Sequence, residues 1–207
     1  MDHTEAGKVI IGFSSPIVGL YNNAGGAITY TKGRRLARGV DVKLNVNAAD
    51  DNIFYADNKS AESESGTFSD GTVDLTADTP HDDAERMIYG LPEPEPFTYG
   101  ESKTVNVIKY GDNAKPPYVG IGYVIEFQSG GKITYQPMVL PKAKFVVHGT
   151  EAKTRENQKD WQTQTLTANI HRDDSANRDW KYLFEEQTTE AEAIAILEAM
   201  LGVGKEA

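Results

Sequence analysis

The chain has 207 residues and no cysteine, and its 31 acidic and 21 basic side chains give a formal net charge of −10. That length suffices for one domain with a core of its own, and a charged fraction of 25% belongs to a folded protein rather than a disordered one. The missing cysteines exclude a disulfide framework, a thiolate-ligated zinc or iron–sulfur site and a thiol nucleophile.

No run approaches the roughly 18 apolar residues of a membrane-spanning helix. The opening residues, MDHTEAGKVIIGFSSPIVG, carry acids where a secretory leader carries lysines. No signal peptide is therefore expected, and folding in a reducing cytoplasm is. The charge is uneven. Residues 50–101 hold 14 acids and 2 bases, a net of −12, whereas the rest hold 17 acids and 19 bases, a net of +2. A segment of that sign repels nucleic acid.

In chain order the dominant hydrophobic period is two, the period of strands. A strand is expected at Val9–Phe13. In VDVKLNVN, Val40, Val42, Leu44 and Val46 share an apolar face opposite Asp41, Lys43, Asn45 and Asn47. Residues 47–65 then read as a long acidic loop with one apolar island, Ile53-Phe54-Tyr55, and loops of that length are usually functional or disordered. A strand follows at Gly66–Thr76, where Asp70-Gly71 offers a tight turn that would split it in two. A helix over about 80–89 is expected, with Thr79 as N-cap, Pro80 at its first position, Asp82 and Asp83 in its first turn and Gly90 closing it.

LPEPEPFTYGES, with prolines at 92, 94 and 96, reads as an extended, stiff loop. A strand is expected at Thr104–Tyr110. YVGIGYVIEFQ places Val119, Ile121, Tyr123, Ile125 and Phe127 on one face, and Tyr118, Gly120, Gly122, Val124, Glu126 and Gln128 on the other. The Ser129-Gly130-Gly131 turn leads back into KITYQPMVL, which makes a hairpin. Further strands are expected at Lys142–Val147 and Trp161–His171. A C-terminal helix over about 190–201 has capping-box spacing in Thr189 and Glu192, an apolar stripe of Ile194, Leu197 and Leu201, and Gly202 as its stop. These elements make a single domain over residues 1–207, mainly β: an antiparallel two-sheet sandwich or barrel with one flanking helix and a C-terminal helix.

Motifs of catalysis are sparse. None of His3, His81, His148 and His171 has a second histidine at metal-ligand spacing. His171-Arg172-Asp173-Asp174 reads as a strand end entering a turn, and Asp50-Asp51 and Asp82-Asp83 as loop and first-turn acids. Gly120-Ile-Gly122 lacks the third glycine of a dinucleotide fingerprint and lies mid-strand, where glycine marks a bend or a close approach. Gly33-Arg34-Arg35 with Arg38 is too small a basic cluster for nucleic acid. Asn58-Lys59-Ser60 matches a glycosylation sequon, and with no leader expected it reads as an accident. The reading is non-enzymatic, with no cofactor and no metal.

The order of segments is more specific than any one of them. Phe54-Tyr55-Ala56-Asp57, Gly71-Thr72-Val73-Asp74-Leu75, Gly120-Ile121-Gly122-Tyr123 and Leu166-Thr167-Ala168, between an N-terminal strand and the TEAEAIAILEAMLG helix, run from about Lys8 to Gly202. In that order they resemble the major tail protein family of long-tailed phages and prophages of Gram-positive bacteria, the phi13-type family. The resemblance implies a β-sandwich tail tube subunit that assembles as hexameric rings stacked into a hollow tube. Its partners would be further copies of itself, the tape measure protein in the lumen, other tail proteins at the tube ends, and DNA only as passing cargo. Its place would be the virion, after synthesis in the host cytoplasm.

Strand residues with polar side chains, Asp41, Asn45, Asp74, Glu126, Gln128, Thr165 and Asn169, are the candidates to line an aqueous channel. The 47–65 segment, with Asp51, Ile53, Phe54, Tyr55 and Asp57, is the candidate arm onto the next ring. Each has a plainer reading: a solvent face of an antiparallel sheet, and aromatics packed on their own domain. The competing function is a β-sandwich binding module, a virion adhesin or carbohydrate-binding domain, with Trp161, Trp180 and Tyr182 as stacking surfaces.

Overall fold

The computed structural model describes residues 7–50, 52–56, 59–64, 67–147, 149 and 162–205. The chain is mainly β, with a large antiparallel sheet and two helices. Its strands are β1 (Val9–Ala24), β2 (Ala27–Arg35), β3 (Gly39–Ala48), β4 (Asn52–Ala56), β5 (Lys59–Glu64), β6 (Phe68–Ala77), β7 (Glu95–Tyr99), β8 (Lys103–Val107), β9 (Val119–Ser129), β10 (Lys132–Phe145), β11 (Gln164–His171) and β12 (Tyr182–Leu183). Helix α1 spans Asp82–Tyr89 and α2 spans Glu190–Leu201.

The eight-stranded sheet has the order β2-β1-β9-β10-β11-β6-β3, with β12 beside β10. It is hydrogen-bonded along one continuous path rather than as two separate sheets, and it curls so that β3 lies against β1. A Cβ on Gly39 of β3 would touch the ring of Phe13 of β1, so glycine there lets the curl close. Inside the curl is the main core. Val18, Val73, Leu75, Ile121, Leu140 and Leu166 are wholly buried there, and Ala84, Ile88 and Tyr89 of α1 pack into the same cluster. The outer face of β2, β1, β9 and β10 carries a second core, in which Leu197 and Leu201 of α2 pack on Ile17, Tyr30, Val124 and Val139.

Turn chemistry explains the hairpins. Gly25-Gly26 and Gly130-Gly131 both occupy left-handed backbone, at φ 63 and 90 and at φ 57 and 79, between the pairs Ala24↔Ala27 and Ser129↔Lys132. Two consecutive positive φ angles are what a two-residue turn matching strand twist requires. The second hairpin is the expected one. The first shows that the Val9–Phe13 strand continues to Ala24 and returns as β2.

Several expectations are corrected. Strand β6 runs unbroken through Asp70-Gly71, and Gly71 is there because a Cβ would stand 2.7 Å from the Asn45 carbonyl oxygen of β3. Lys142–Phe145 is the end of β10, not a separate strand. The proline segment is not a loop throughout, because Glu95–Tyr99 pairs with Lys103–Val107. The 47–65 segment is likewise a hairpin, β4 paired with β5. Of the VDVKLNVN valines, Val42 packs on the core with Leu44, but Val40 and Val46 are 60% and 43% exposed.

Helix α1 is capped by His81, not Thr79, since the His81 carbonyl accepts from the Ala84 and Glu85 amides. Its left-handed Gly90 cap is as read from the sequence. So is the start of α2, where Thr189 Oγ1 accepts from the Glu192 amide at 3.3 Å and donates to the Glu192 carboxylate at 2.8 Å. Beyond α2 the chain closes over the β2 edge: the Gly33 amide donates to Gly202 and the Lys32 amide to Lys205.

Candidate functional site

Helix α2 covers only part of the sheet's outer face. Among the described residues no helix packs on the part made by β3, β6 and β11, and strict alternation makes it polar. On β11, Leu166, Ala168 and Ile170 turn inward and Thr165, Thr167 and Asn169 outward. On β6, Val73, Leu75 and Ala77 turn inward and Thr72, Asp74 and Thr76 outward. Register then sets these side chains in rows: Asp41–Thr76–Thr165, Lys43–Asp74–Thr167 and Asn45–Thr72–Asn169, with Lys144 of β10 beside Asn169.

The rows bond to one another. Thr167 Oγ1 donates to Asp74 at 2.7 Å, and Asn45 Nδ2 donates to Thr72 Oγ1 at 3.3 Å and to Asp74 at 3.4 Å. Thr76 and Thr165 share a hydroxyl contact at 3.2 Å, and Asn47 donates to Asp70 at 2.6 Å. Side chains tied to same-face neighbours lie along the sheet, which makes a low polar surface of hydroxyls, amides and carboxylates.

The structure thus brings together Asp41, Asn45, Asp74, Thr165 and Asn169 of the sequence candidates. Glu126 and Gln128 do not join them. They lie near the β9–β10 turn, paired with Tyr135 and Ile133, and the Glu126 side chain lies over Gly12. Sequence reasoning missed Lys43, Thr72, Thr76, Thr167 and Lys144. Alternation about Asp74 and Thr165 would have found the threonines; placing Lys43 and Lys144 beside them needed the strand order.

Of the arm candidates, Ile53, Phe54 and Tyr55 fall on β4, while Asp51 and Asp57 lie outside the described residues. The arm continues the β3–β6 ladder, with the Ala49 amide donating to the Thr67 carbonyl at 2.8 Å.

A second polar cluster surrounds an open cavity of about 560 Å³ between the start of β6 and residues 170–178. Asp173, 2% exposed, accepts from the Ser175 amide at 3.0 Å, Ser175 Oγ at 2.6 Å and Tyr182 Oη at 2.5 Å. Asp174 accepts from Lys142 at 2.7 Å and Tyr21 Oη at 2.9 Å, and those bonds, Lys142 first, hold its carboxyl below the usual range. Burial pushes the Tyr21 hydroxyl up to about 12. Burial, then Lys142 and Lys144, lower the His171 value.

Every carboxylate in this cluster's centre is bonded to a donor of the same chain, so the cluster clamps residues 172–182 onto β1 and β10. Trp180 is stacked on Phe68 at 4.7 Å, so that ring face is occupied; Trp161, with His3 and His148, lies outside the described residues. Arg34, Arg35 and Arg38 pair with Asp83, Glu198 and Asp78. Among the described residues no group of three or more His, Cys, Asp or Glu could hold a metal, and no helix is long and apolar enough to cross a membrane.

No family model matches the chain, and no curated protein matches it either. The functional reading therefore rests on the geometry and on the segment order.

Proposed function

We propose that the chain is a structural virion protein that polymerises as stacked hexameric rings into a phage tail tube, through which genomic DNA passes to the host. The observation that carries this is the polar outer face of β3, β6 and β11, whose side chains are bonded to one another and which ends, among the described residues, at the edge strand β3. A wall along which DNA slides must be wetted and must lack a cluster of cations that would hold phosphates. Of the cations on this side of the sheet, Lys43 sits in register with Asp74 and Lys144 with Asn169, while Lys142 is bound by Asp174.

Strand β3 ends the sheet, and its outer row of N–H and C=O groups can continue into the sheet of a neighbouring copy. A contact of that kind uses different surfaces on the two partners and closes into a ring when the rotation permits. The arm supports contact between rings, since it is a hairpin separate from the eight-stranded sheet and has adjacent aromatics in its sequence. In this reading the tape measure protein fills the lumen before ejection, other tail proteins meet the tube ends, no cofactor takes part, and the protein resides in the virion after synthesis in the host cytoplasm.

Negative-stain electron microscopy of the purified chain at high concentration tests the reading. Rings or smooth tubes with an axial hole are expected; persistent monomers that bind a glycan would replace it with the adhesin alternative.

A further inference from the structure

We propose that a cavity beside the start of β3 receives the Asn52–Glu64 arm of a second copy, so that subunits join end to end. The inference rests on the tube reading for its setting and deepens it by naming the receptor. The two ends of the β3–β6 pair differ in charge. From the Ala48↔Phe68 end the chain leaves for the arm, and residues 50–64 contain Asp50, Asp51, Asp57, Glu62 and Glu64 against Lys59 alone. Around the Gly39↔Ala77 end stand Arg34, Arg35, Arg38 and His81. Ten residues of strand at about 3.3 Å each separate the ends by roughly 30 Å, so an arm leaving one end is placed for the next copy's cavity rather than its own.

The cavity measures about 390 Å³. Ala37 and Gly39 give it an apolar wall, Ser14 and Ser15 add hydroxyls, and Arg35, Arg38 and His81 complete the lining, with no carboxylate among them. A register slip between Ser14 and Ile17, with Ser15 at φ 52, marks the β1 wall here. Asp78 binds Arg38 through Nε at 2.5 Å, and Glu198 binds Arg35 through one Nη at 3.4 Å. A guanidinium has five N–H donors, so both arginines keep donors for another acceptor. The Arg38 side chain is 90% exposed.

Glu190 of α2 accepts from Ser14 Oγ at 2.5 Å, and in the first turn of α1 Asp83 is held by Arg34 and Arg86. In the arm sequence Phe54-Tyr55 lies between Asp51 and Asp57. An aromatic flanked by acids suits an apolar-walled cavity with arginines at its rim, because guanidinium both pairs with carboxylate and stacks on rings. Such a contact joins two different surfaces without closing, and it generates a filament.

The absence of native cysteine makes the test direct, since a disulfide can form only between introduced residues. The full chain carrying Ala56→Cys and His81→Cys, oxidised at assembly concentration, is expected to give a ladder of linked subunits on denaturing gels that collapses with reductant. The His81 side chain makes no capping bond, so its replacement spares α1. Ala56→Cys with Gly111→Cys, a position with nothing within 4 Å of its Cβ, is expected to give none. Arg35→Glu with Arg38→Glu should abolish the ladder, and adding Asp51→Lys and Asp57→Lys should restore it. Tubes without a ladder would overturn the docking and leave the tube reading standing. A ladder without tubes would support the docking and sink the tube reading, and a chain that gives neither would sink both.

Discussion

Gly19 of β1 lies directly under the last residue of α2: a Cβ built on Gly19 would stand 2.3 Å from the Leu201 carbonyl oxygen. A Cβ built on Gly33 of β2 would stand 2.5 Å from the same oxygen, and on β9 Gly120 and Gly122 sit under the Leu201 and Leu197 side chains. Glycines on three adjacent strands therefore form the seat of the helix. This is the physical reason for Gly120-Ile-Gly122, which is a landing for apolar side chains and not a phosphate loop.

The seat makes a stability prediction. Gly19→Ala drives a methyl into backbone that has no rotamer to change, so the C-terminal turn of α2 must shift. Overpacking of this kind costs about 1–3 kcal/mol. Gly111→Ala, with open space around its Cβ, should change stability by less than about 0.5 kcal/mol. Urea denaturation followed by circular dichroism checks both, and equal midpoints for the two variants would show that the helix does not need the close approach.

How much of this could be read from the sequence depends on which contacts decide each feature. Strand identity and facing in β9 and β11, and both ends of α2, are local: alternation, a capping threonine and a terminal glycine specify them. Elsewhere a tertiary contact outweighs the local signal, or a turn signal lies inside an apolar run. Gly25-Gly26 between apolar runs was a hairpin signal as good as Gly130-Gly131. Asp70-Gly71 looks like a turn, yet Gly71 serves the Asn45 carbonyl one strand away, which no local pattern reveals. Val40 and Val46 obey the alternation but lie on the edge strand, Val40 within the register slip between Gly39 and Asp41, and both stay exposed.

The candidate polar face was half legible for the same reason. Asp74, Thr165 and Asn169 follow from alternation, but grouping them with Asp41 and excluding Glu126 requires the strand order. The charge asymmetry also takes a different meaning in three dimensions. Of the acids in residues 50–101, Asp70 and Asp74 lie on the polar face, while Asp78, Asp82, Asp83 and Glu85 gather around α1. The net −12 is thus distributed among an arm, a strand, a helix and a second hairpin, not spread over one wall.

The buried carboxylate of Asp173 is expected to hold the 172–182 segment in place. Tyr182→Phe removes one bond to a charged acceptor and should cost about 1.5–3 kcal/mol. Asp173→Ala should cost more than Tyr182→Phe, because it strands the Ser175 and Tyr182 donors together. Thermal unfolding of the two variants, with proteolysis at the 172–182 segment as a local readout, checks the order. A tolerated Asp173→Ala would mean that the clamp contributes nothing.

Stability should fall on acidification in two stages. His171 takes up its proton less readily in the folded protein than its ordinary value of 6.5 implies, because of burial and then Lys142 and Lys144. Its contribution is therefore present above the unfolded value and lost as pH falls through the folded one. Asp78, Asp174 and Glu186 are held below the usual carboxylate range, chiefly by Arg38, Lys142 and Lys8 respectively. Their contribution is present above the unfolded carboxylate range and lost as pH falls through the depressed values. In urea titrations at a series of pH values, His171→Gln should flatten the upper stage and Asp174→Asn part of the lower one. Unchanged profiles would remove these groups from the acid response.

Deletion of residues 51–64 separates folding from assembly. Strands β4 and β5 pair with one another in a two-stranded sheet of their own, so their removal leaves the strand order of the eight-stranded sheet intact. The ladder partners Ala49 and Thr67 remain, joined by their backbone bond, and the three residues left between them, Asp50, Ser65 and Gly66, make a loop of hairpin length. The shortened chain should therefore keep the wild-type urea midpoint within about 0.5 kcal/mol, and it should still form single rings if the β3 edge makes the ring contact. Growth of rings into tubes should be lost, because the arm is the end-to-end contact. Electron microscopy with sedimentation velocity reads both levels at once. Normal tubes from the shortened chain would show that β4 and β5 are a surface ornament, and loss of rings as well as tubes would place the arm in the lateral contact instead.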